Sequence, residues 1–413
     1  MAGPTGQSER TSGTVVRWLA LAAGAAMIVG AGVIVAWRYV VEQPVHPLID
    51  LDVYKRAGRD VLAGRFTYSS GGGELVFTYP PFAALAAVIT APLLQWWGQF
   101  LWTLASVAAL VGVVWLSFRR AIDRVRSELR PLLFGAVCLL AILTRPFAEH
   151  VAMGQVNVFL ALLCLLDLCA TRRRWPQGAL IGVAAALKLT PAVFVVYLVV
   201  TGRTRAARNA VASFLVCTAS ALVLLPAASV DYWTNRIFQG ERVTGSVAYT
   251  SNQSLLGTIT RLVPSPWTGA AWLAVALAIL VVGFRRARAA YRVGDELGGV
   301  AVTAAVGLLI SPISWLHHFV WLIPMLGAMV ATGQDRVRDA WAALATVVLL
   351  LPVGWWGWAL LDDDSHLLRV MGVLLHNGLT LLTVLLVLGY RPVSGDDVVG
   401  ASGPEREPVR VAS

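Results

Sequence analysis

The stretch IDLDVYKRAGRD (49–60) packs three carboxylates and three cations between two long apolar segments. Asp52 and Arg56, like Arg56 and Asp60, stand four residues apart, the spacing at which opposite charges pair along a helix. Asp50 lies outside that ladder, and two roles suit it. From Asp50 to Ala63 the pattern is that of a short amphipathic helix on the outer membrane surface. Its apolar face holds Leu51, Tyr54, Val61 and Leu62, and its polar face Asp52, Lys55, Arg56, Arg59 and Asp60. Asp is a favoured residue for capping such a helix. An isolated carboxylate near apolar surface also has a raised pKa and can take a proton from a hydroxyl.

Further along, other groups offer complementary chemistry. A leaving phosphate needs cations or hydrogen-bond donors. Lys55, Arg56, Lys188 in LKLTP (187–191), and His317 and His318 in SPISWLHH (311–318) are the candidates. Adjacent histidines on a helix point in different directions, so at most one of the pair faces a given site. Lys188 could equally snorkel to headgroups, although an ionisable group at a proline-broken hairpin is by default a functional candidate. Gln155, Asn157, Asn252 and Gln253 can bind sugar hydroxyls or cap helices, and Glu149 and His150 fit a solvated loop or the edge of a site. Tyr68, Tyr79, Tyr232, Trp233, Tyr249, Trp267 and Trp315 suit an interfacial aromatic belt, and one of them could stack on a sugar. Asp362, Asp363 and Asp364 read as a solvated acidic run. No spacing argues for a metal site, and the absence of a Gly-rich phosphate fingerprint argues against a nucleotide.

These residues have to be positioned by membrane helices. Of 413 residues, 57% are hydrophobic and 14% charged, which leaves too little polar surface for a soluble domain. The net charge of +10 comes from short Arg clusters between apolar blocks, the positive-inside pattern rather than a nucleic-acid surface. Cys138, Cys164, Cys169 and Cys217 lie inside apolar blocks and read as small core residues. Threading the clusters to the cytoplasmic side gives twelve spans with both termini inside. The spans are about 14–37, 99–118, 131–145, 156–171, two short helices within 175–202, 209–228, 267–284, 297–312, 319–332, 339–358 and 367–389. The proline-led segment 80–92 is too short to cross and reads as re-entrant or interfacial. Residues 38–98 form an outer loop carrying the two juxtamembrane helices, 1–390 a single transmembrane domain, and 391–413 a disordered cytoplasmic tail. His46, His150, His317, His318 and His366 then fall on the outer side, so any chemistry faces outward.

The ordered set DLDVYKRAGRDVLAG with TYPPFAAL, GQVNVFLALL (154–163), LKLTPAVF (187–194), NQSLLG (252–257) and SPISWLHHFVWL (311–322) resembles the GT-C polyprenol-phosphate-mannose-dependent α-mannosyltransferases of actinobacteria, over about residues 50–322. The resemblance implies an all-α GT-C bundle in the plasma membrane. It implies transfer of mannose, with inversion, from a polyprenyl phosphate to a mannosylated lipid or glycan outside the cell. Phosphatidylinositol mannoside and lipomannan are the acceptors it suggests, and α-1,2 the linkage. It also makes the acid of the D-x-x-V-Y motif, Asp50, the catalytic base. Tyr54, which closes that motif, joins Lys55, Arg56, Lys188, His317, His318, Gln155, Asn157, Asn252 and Gln253 as expected donor or substrate contacts. The expected enzyme is a monomer that uses no metal or cofactor, the lipid-linked sugar being a co-substrate. Its partners are that donor, the glycolipid acceptor and membrane lipids. A secondary transporter, or a GT-C enzyme using another polyprenyl-phosphate sugar, are the rival readings.

Overall fold

In lipid, each backbone N–H and C=O has to be satisfied within its own segment, and the apolar runs accordingly fold as helices. The computed structural model describes residues 5–40, 48–68, 75–239, 246–263, 265–331 and 335–393. The helices begin with α1 (Thr5–Val40), α2 (Ile49–Leu62), α3 (Pro81–Ala87), α4 (Gln95–Asp123), α5 (Arg130–Leu143), α6 (Arg145–Met153) and α7 (Asn157–Cys169). Next come α8 (Ala179–Leu187), α9 (Val193–Val200), α10 (Thr204–Leu224), α11 (Pro226–Thr234), α12 (Leu255–Leu262), α13 (Thr268–Arg292) and α14 (Glu296–Ile310). The 3-10 helix Leu316–Leu322 runs into α15 (Ile323–Met329), and α16 (Arg336–Leu350), α17 (Val353–Ala359), α18 (His366–His376) and α19 (Gly378–Gly389) complete the set. There is no strand among the described residues; Asn252 and Trp315 form an isolated bridge. The expected tail lies outside the described residues from 394 onward, as does His46.

Several helices are elbows. Pro146 stands at the start of α6 and Pro352 just before α17, where a missing N–H and a fixed φ suit a helix opening and not its interior. The α5–α6, α16–α17 and α18–α19 pairs bend by 64°, 63° and 61°. The expected division of 175–202 is found: α8 stops at Leu187, Lys188 is extended (φ −154°, ψ 132°), and a 3-10 turn at Thr190–Ala192 leads into α9.

Twelve crossings are not reached by length and composition. Four helices are long and apolar enough, or up to seven if each bent pair is one span. Four of the remaining expected spans fall on apolar helices of 10–17 residues, and the fifth on the nine-residue α8. A 15-residue helix is about 22 Å long, shorter than a hydrocarbon core of about 30 Å. Of these, α14 is apolar around its whole circumference because neighbouring helices cover nearly all of it. A run of apolar residues in the sequence does not distinguish such a protein-covered helix from a lipid-facing one.

Two cores result. The larger gathers residues such as Leu110, Leu160, Leu165, Val302, Val306 and Met325 at the centre of the bundle. The smaller, built from α2, α3, α11 and the strandless segments beside them, holds Leu51, Tyr54, Phe66, Tyr68, Phe77 and Tyr232. Val156 packs against both.

The amphipathic helix expected from Asp50 to Ala63 is α2, but its faces differ from expectation. Leu62 is exposed, whereas Val53, Lys55, Ala57 and Gly58 are buried. Protein covers α2 on more than one side, so it sits inside a small core rather than on a bare membrane surface. Its charge ladder is different too: Asp60 pairs with Arg65 at 2.8 Å, and Arg56 donates to the Leu75 carbonyl at 3.2 Å. Gly58 allows the close crossing of α2 over α3, since a Cβ there would collide with the Ala87 carbonyl oxygen.

Gly58→Ala is therefore expected to lower the thermal unfolding midpoint in detergent, at a cost of about 1–3 kcal/mol, the usual range for overpacking. An unchanged midpoint would show that α2 and α3 are not in tight contact.

Candidate active site

Polar side chains from the ends of several elements meet at the seam between the two cores. Asp50 is the second residue of α2, so it is not the helix cap. Leu48 holds that position in the left-handed region (φ 52°, ψ 58°), the one such non-glycine residue among those described. That conformation costs a β-carbon-bearing residue about 1–2 kcal/mol; full burial of the Leu48 side chain in the smaller core offsets it. Freed from capping, the Asp50 carboxylate faces across the seam.

The facing segment is GQVN. Gly154 ends α6 in a Schellman turn, with Gly154 N–H bonded to Val151 O and Gln155 N–H to His150 O. The turn needs φ +72°, and a Cβ on Gly154 would lie 2.8 Å from that of Leu51 and 2.9 Å from that of Leu48. A bare glycine thus lets the end of α6 touch the start of α2. This close approach brings Gln155 Nε2 within 2.5 Å of Asp50 Oδ2.

From there a chain of hydrogen bonds crosses the site. Lys188 Nζ donates to Asn157 Oδ1 (2.9 Å), Asn157 Nδ2 to Gln155 Oε1 (3.3 Å), and Gln155 Nε2 to Asp50. Every donor in the relay lies on the cation's side and every acceptor on the anion's side, so each bond polarises the next. Tyr79 supports the relay from above: its hydroxyl donates to Gln155 Oε1 (3.2 Å) and accepts from Tyr54 (3.0 Å), and its ring lies 5.3 Å from Lys188 Nζ. Asp50 Oδ1 has no hydrogen-bond partner among the described residues. Burial raises the Asp50 carboxyl above its ordinary 3.8, against the opposing pull of the Gln155 hydrogen bond and the Lys188 charge.

Lys188 also meets His318 Nε2 at 3.1 Å. With a protonated lysine donating, that nitrogen is the acceptor and Nδ1 carries the ring proton. His317 lies edge-on to His318, ring centroids 4.7 Å apart, and neither of its nitrogens has a partner. Beside Asn157 and His318 opens a largely apolar crevice lined by Thr190, Val193, Phe194, Leu308 and Trp321.

The structure thus brings Asp50, Gln155, Asn157, Lys188 and His318 together, with Tyr54 one step behind Tyr79. Four expected contacts stand elsewhere. Lys55 is buried toward the start of α4, beside Gly98. Arg56 faces the segment around Leu75. Asn252 and Gln253 are saturated by protein. Asn252 accepts from Ser254 N and Ser314 N, and Gln253 donates to the Thr250 and His376 carbonyls and accepts from Thr380. They staple the 250–254 segment to the approach to the histidines and to the α18–α19 elbow, leaving no free valence for a ligand. From the sequence Tyr79 is expected only as one of several interfacial aromatics, and Gly154 is not a candidate; the signal for it is a glycine opening the segment GQVN with its two amide-bearing residues. Among the described residues, no three His, Cys, Asp or Glu side chains converge as metal ligands.

Glycosyltransferase family 87 matches residues 77–312. That interval holds Tyr79, Gln155, Asn157 and Lys188 and leaves Asp50, His317 and His318 outside it. A polyprenol-phosphate-mannose-dependent alpha-(1-2)-phosphatidylinositol mannoside mannosyltransferase of Mycobacterium tuberculosis is 34% identical over 340 residues, 76% of this chain and 78% of the relative. The same-named protein of Mycolicibacterium smegmatis is 32% identical over 372 residues, 81% of each chain. A polyprenol-phosphate-mannose-dependent alpha-(1-2)-phosphatidylinositol pentamannoside mannosyltransferase of that organism is 32% identical over 329 residues, 77% of this chain and 78% of the relative. No solved structure matches.

The saturated amide makes a direct test. Gln253→Ala should strand partners on two elements and lower stability by about 1–3 kcal/mol, the penalty for buried groups left unpaired. Thermal unfolding in detergent measures it; an unshifted midpoint would return Gln253 to the pool of ligand-binding candidates.

Proposed function

This chain belongs to glycosyltransferase family 87, and we propose that it transfers mannose from polyprenyl-phosphate-mannose to a mannosylated lipid or glycan on the non-cytoplasmic face of the membrane. The acceptor is a phosphatidylinositol mannoside or lipomannan, and the new bond α-1,2, in keeping with the names of the relatives. Membership in a glycosyltransferase family leaves no place for the secondary-transporter reading.

The observation that carries the mechanism is the separation of Asp50 from Lys188. The two charges attract, yet no ion pair forms between them; two amide side chains hold them apart. In-line inversion needs a base on one face of the sugar and a phosphate-binding group on the other. Asp50 takes the proton of the acceptor hydroxyl as that oxygen attacks the anomeric carbon, and its unpartnered Oδ1 is free to receive it. Lys188 spends one N–H on Asn157 and another on His318, so a third remains for the departing phosphate. His318 fixes the direction of that ammonium. The apolar crevice beside Asn157 and His318 suits the donor's prenyl chain.

Asp50→Asn preserves size and removes the base. We expect retained folding and donor binding, with transfer reduced by at least about 10²-fold. Asp52→Asn should have little effect. Because Asp50 acts unprotonated, activity falls as pH drops through its raised pKa. The acid limb of kcat/KM should have its midpoint above the ordinary 3.8 in the wild type and be missing from the residual activity of Asp50→Asn. An active Asp50→Asn enzyme would move the base elsewhere. Adding a polyprenyl-phosphate arabinose competitor tests the choice of donor sugar: strong inhibition would favour the other sugar.

Sidedness is testable separately. In a cysteine-free background, single cysteines at the exposed positions Phe238 and Asp364 should react with an impermeant thiol reagent in intact cells, and cysteines at Arg124 and Arg205 should not. The opposite labelling would place the site on the cytoplasmic face.

A further inference from the structure

Glu149 lies on α6, one turn before the Schellman turn that delivers Gln155. Its Oε1 accepts from Ser251 Oγ at 3.2 Å, and the backbone of His317 faces the same carboxylate. Its Oε2 is buried and has no partner. Arg145, four residues earlier on the same helix, is placed to pair with it but does not; the Arg145 Nε is likewise buried and unpartnered. A buried carboxylate oxygen and a buried guanidinium nitrogen on one helix, neither with a partner, call for a polar ligand.

Three observations identify the ligand. First, Glu149 stands between the turn that sets Gln155 against Asp50 and the start of the histidine-bearing 3-10 helix, to which Ser251 links it through the Leu316 N–H, so its carboxylate lies on the rim of the same site. Second, a carboxylate repels a phosphate and accepts hydrogen bonds from sugar hydroxyls, so this wall disfavours the donor's charged end. Third, a separate crevice opens on this side, lined by Pro146, Ser251, Leu316, Pro352 and Trp355, whereas the crevice beside Lys188 lies at Thr190, Phe194 and Trp321.

We infer that Glu149 is the residue that reads the acceptor, its Oε2 accepting a hydrogen bond from a hydroxyl of the terminal sugar while Ser251 holds Oε1 in place. The inference rests on the proposed function and adds a specificity determinant to it. Glu149 does not take the reaction's proton; it binds and orients the sugar whose hydroxyl Asp50 deprotonates. The acceptor approaches past Pro146 and Trp355, and the donor phosphate stays with Lys188 across the 3-10 helix that bears the histidines.

The test separates binding from chemistry. Glu149→Gln should raise the acceptor KM about tenfold to a hundredfold, the range for a lost hydrogen bond to a charged group. The KM for polyprenyl-phosphate-mannose should stay unchanged. Methyl α-mannoside, a soluble probe of the acceptor subsite, should inhibit the wild type and inhibit Glu149→Gln far less. Ser251→Ala should shift the acceptor KM in the same direction by a smaller factor, and it serves as the readout if Glu149→Gln does not fold. Unchanged acceptor KM values in the folded variants overturn the inference while leaving the Asp50 mechanism standing. A collapse of kcat with unchanged KM also overturns it, by making Glu149 a base. Failure of the wild type to use polyprenyl-phosphate-mannose would instead sink the proposed function itself.

Discussion

A single directed chain of hydrogen bonds, from the Lys188 ammonium through Asn157 and Gln155 to the Asp50 carboxylate, is what the rest of the site is arranged around. Opposite charges drawn out of water attract strongly and would close into an ion pair if free to move. Here neither is free to do so. Asp50 is tied to the start of α2, Lys188 to the break between α8 and α9, and the two amides between them are oriented by Tyr79 and by the turn at Gly154. The attraction is left unrelieved, and the fold holds an anion and a cation apart across one site.

The position of that chain at the seam of two cores follows from its chemistry. Helix interiors in a membrane satisfy their own backbone and present apolar side chains, so polar groups collect at helix ends and breaks. Every member of the relay stands at such a place: the first turn of α2, the α6–α7 link, the start of α7, and the α8–α9 break. Proline and glycine put the ends there. Pro146 and Pro191 begin helices, and Gly154 ends one in a conformation that a larger residue would resist.

Much of this was legible in the sequence. The amphipathic period gave α2 to within a residue or so, the LKLTP stretch marked the α8–α9 break, the family resemblance singled out Asp50, and Gln155 and Asn157 are two of the four amides named on residue type. The differences between expectation and structure have specific causes. Lys55 looks polar-facing on a helical wheel, but a wheel does not show that protein covers α2 on more than one side. Asn252 and Gln253 look like sugar ligands because the same amide chemistry serves a staple, and only the positions of Ser314, His376 and Thr380 reveal the staple. The twelve expected spans exceed the four to seven that length and composition support, because apolar length alone does not separate a lipid-facing helix from one enclosed by its neighbours, as α14 is.

The staple has a consequence for how such a chain can vary. Gln253 bonds to the Ser314 carbonyl through its backbone and to His376 and Thr380 through its side chain, while Asn252 receives the Ser314 N–H. Three segments distant in sequence thus share one set of valences, and a lone substitution in any of them strands buried partners in the others. They are therefore exchangeable only as a block. Divergence within this scaffold should proceed there by compensated, simultaneous replacements, and chimeras joined between residues 254 and 314 should fail unless both sides come from the same parent.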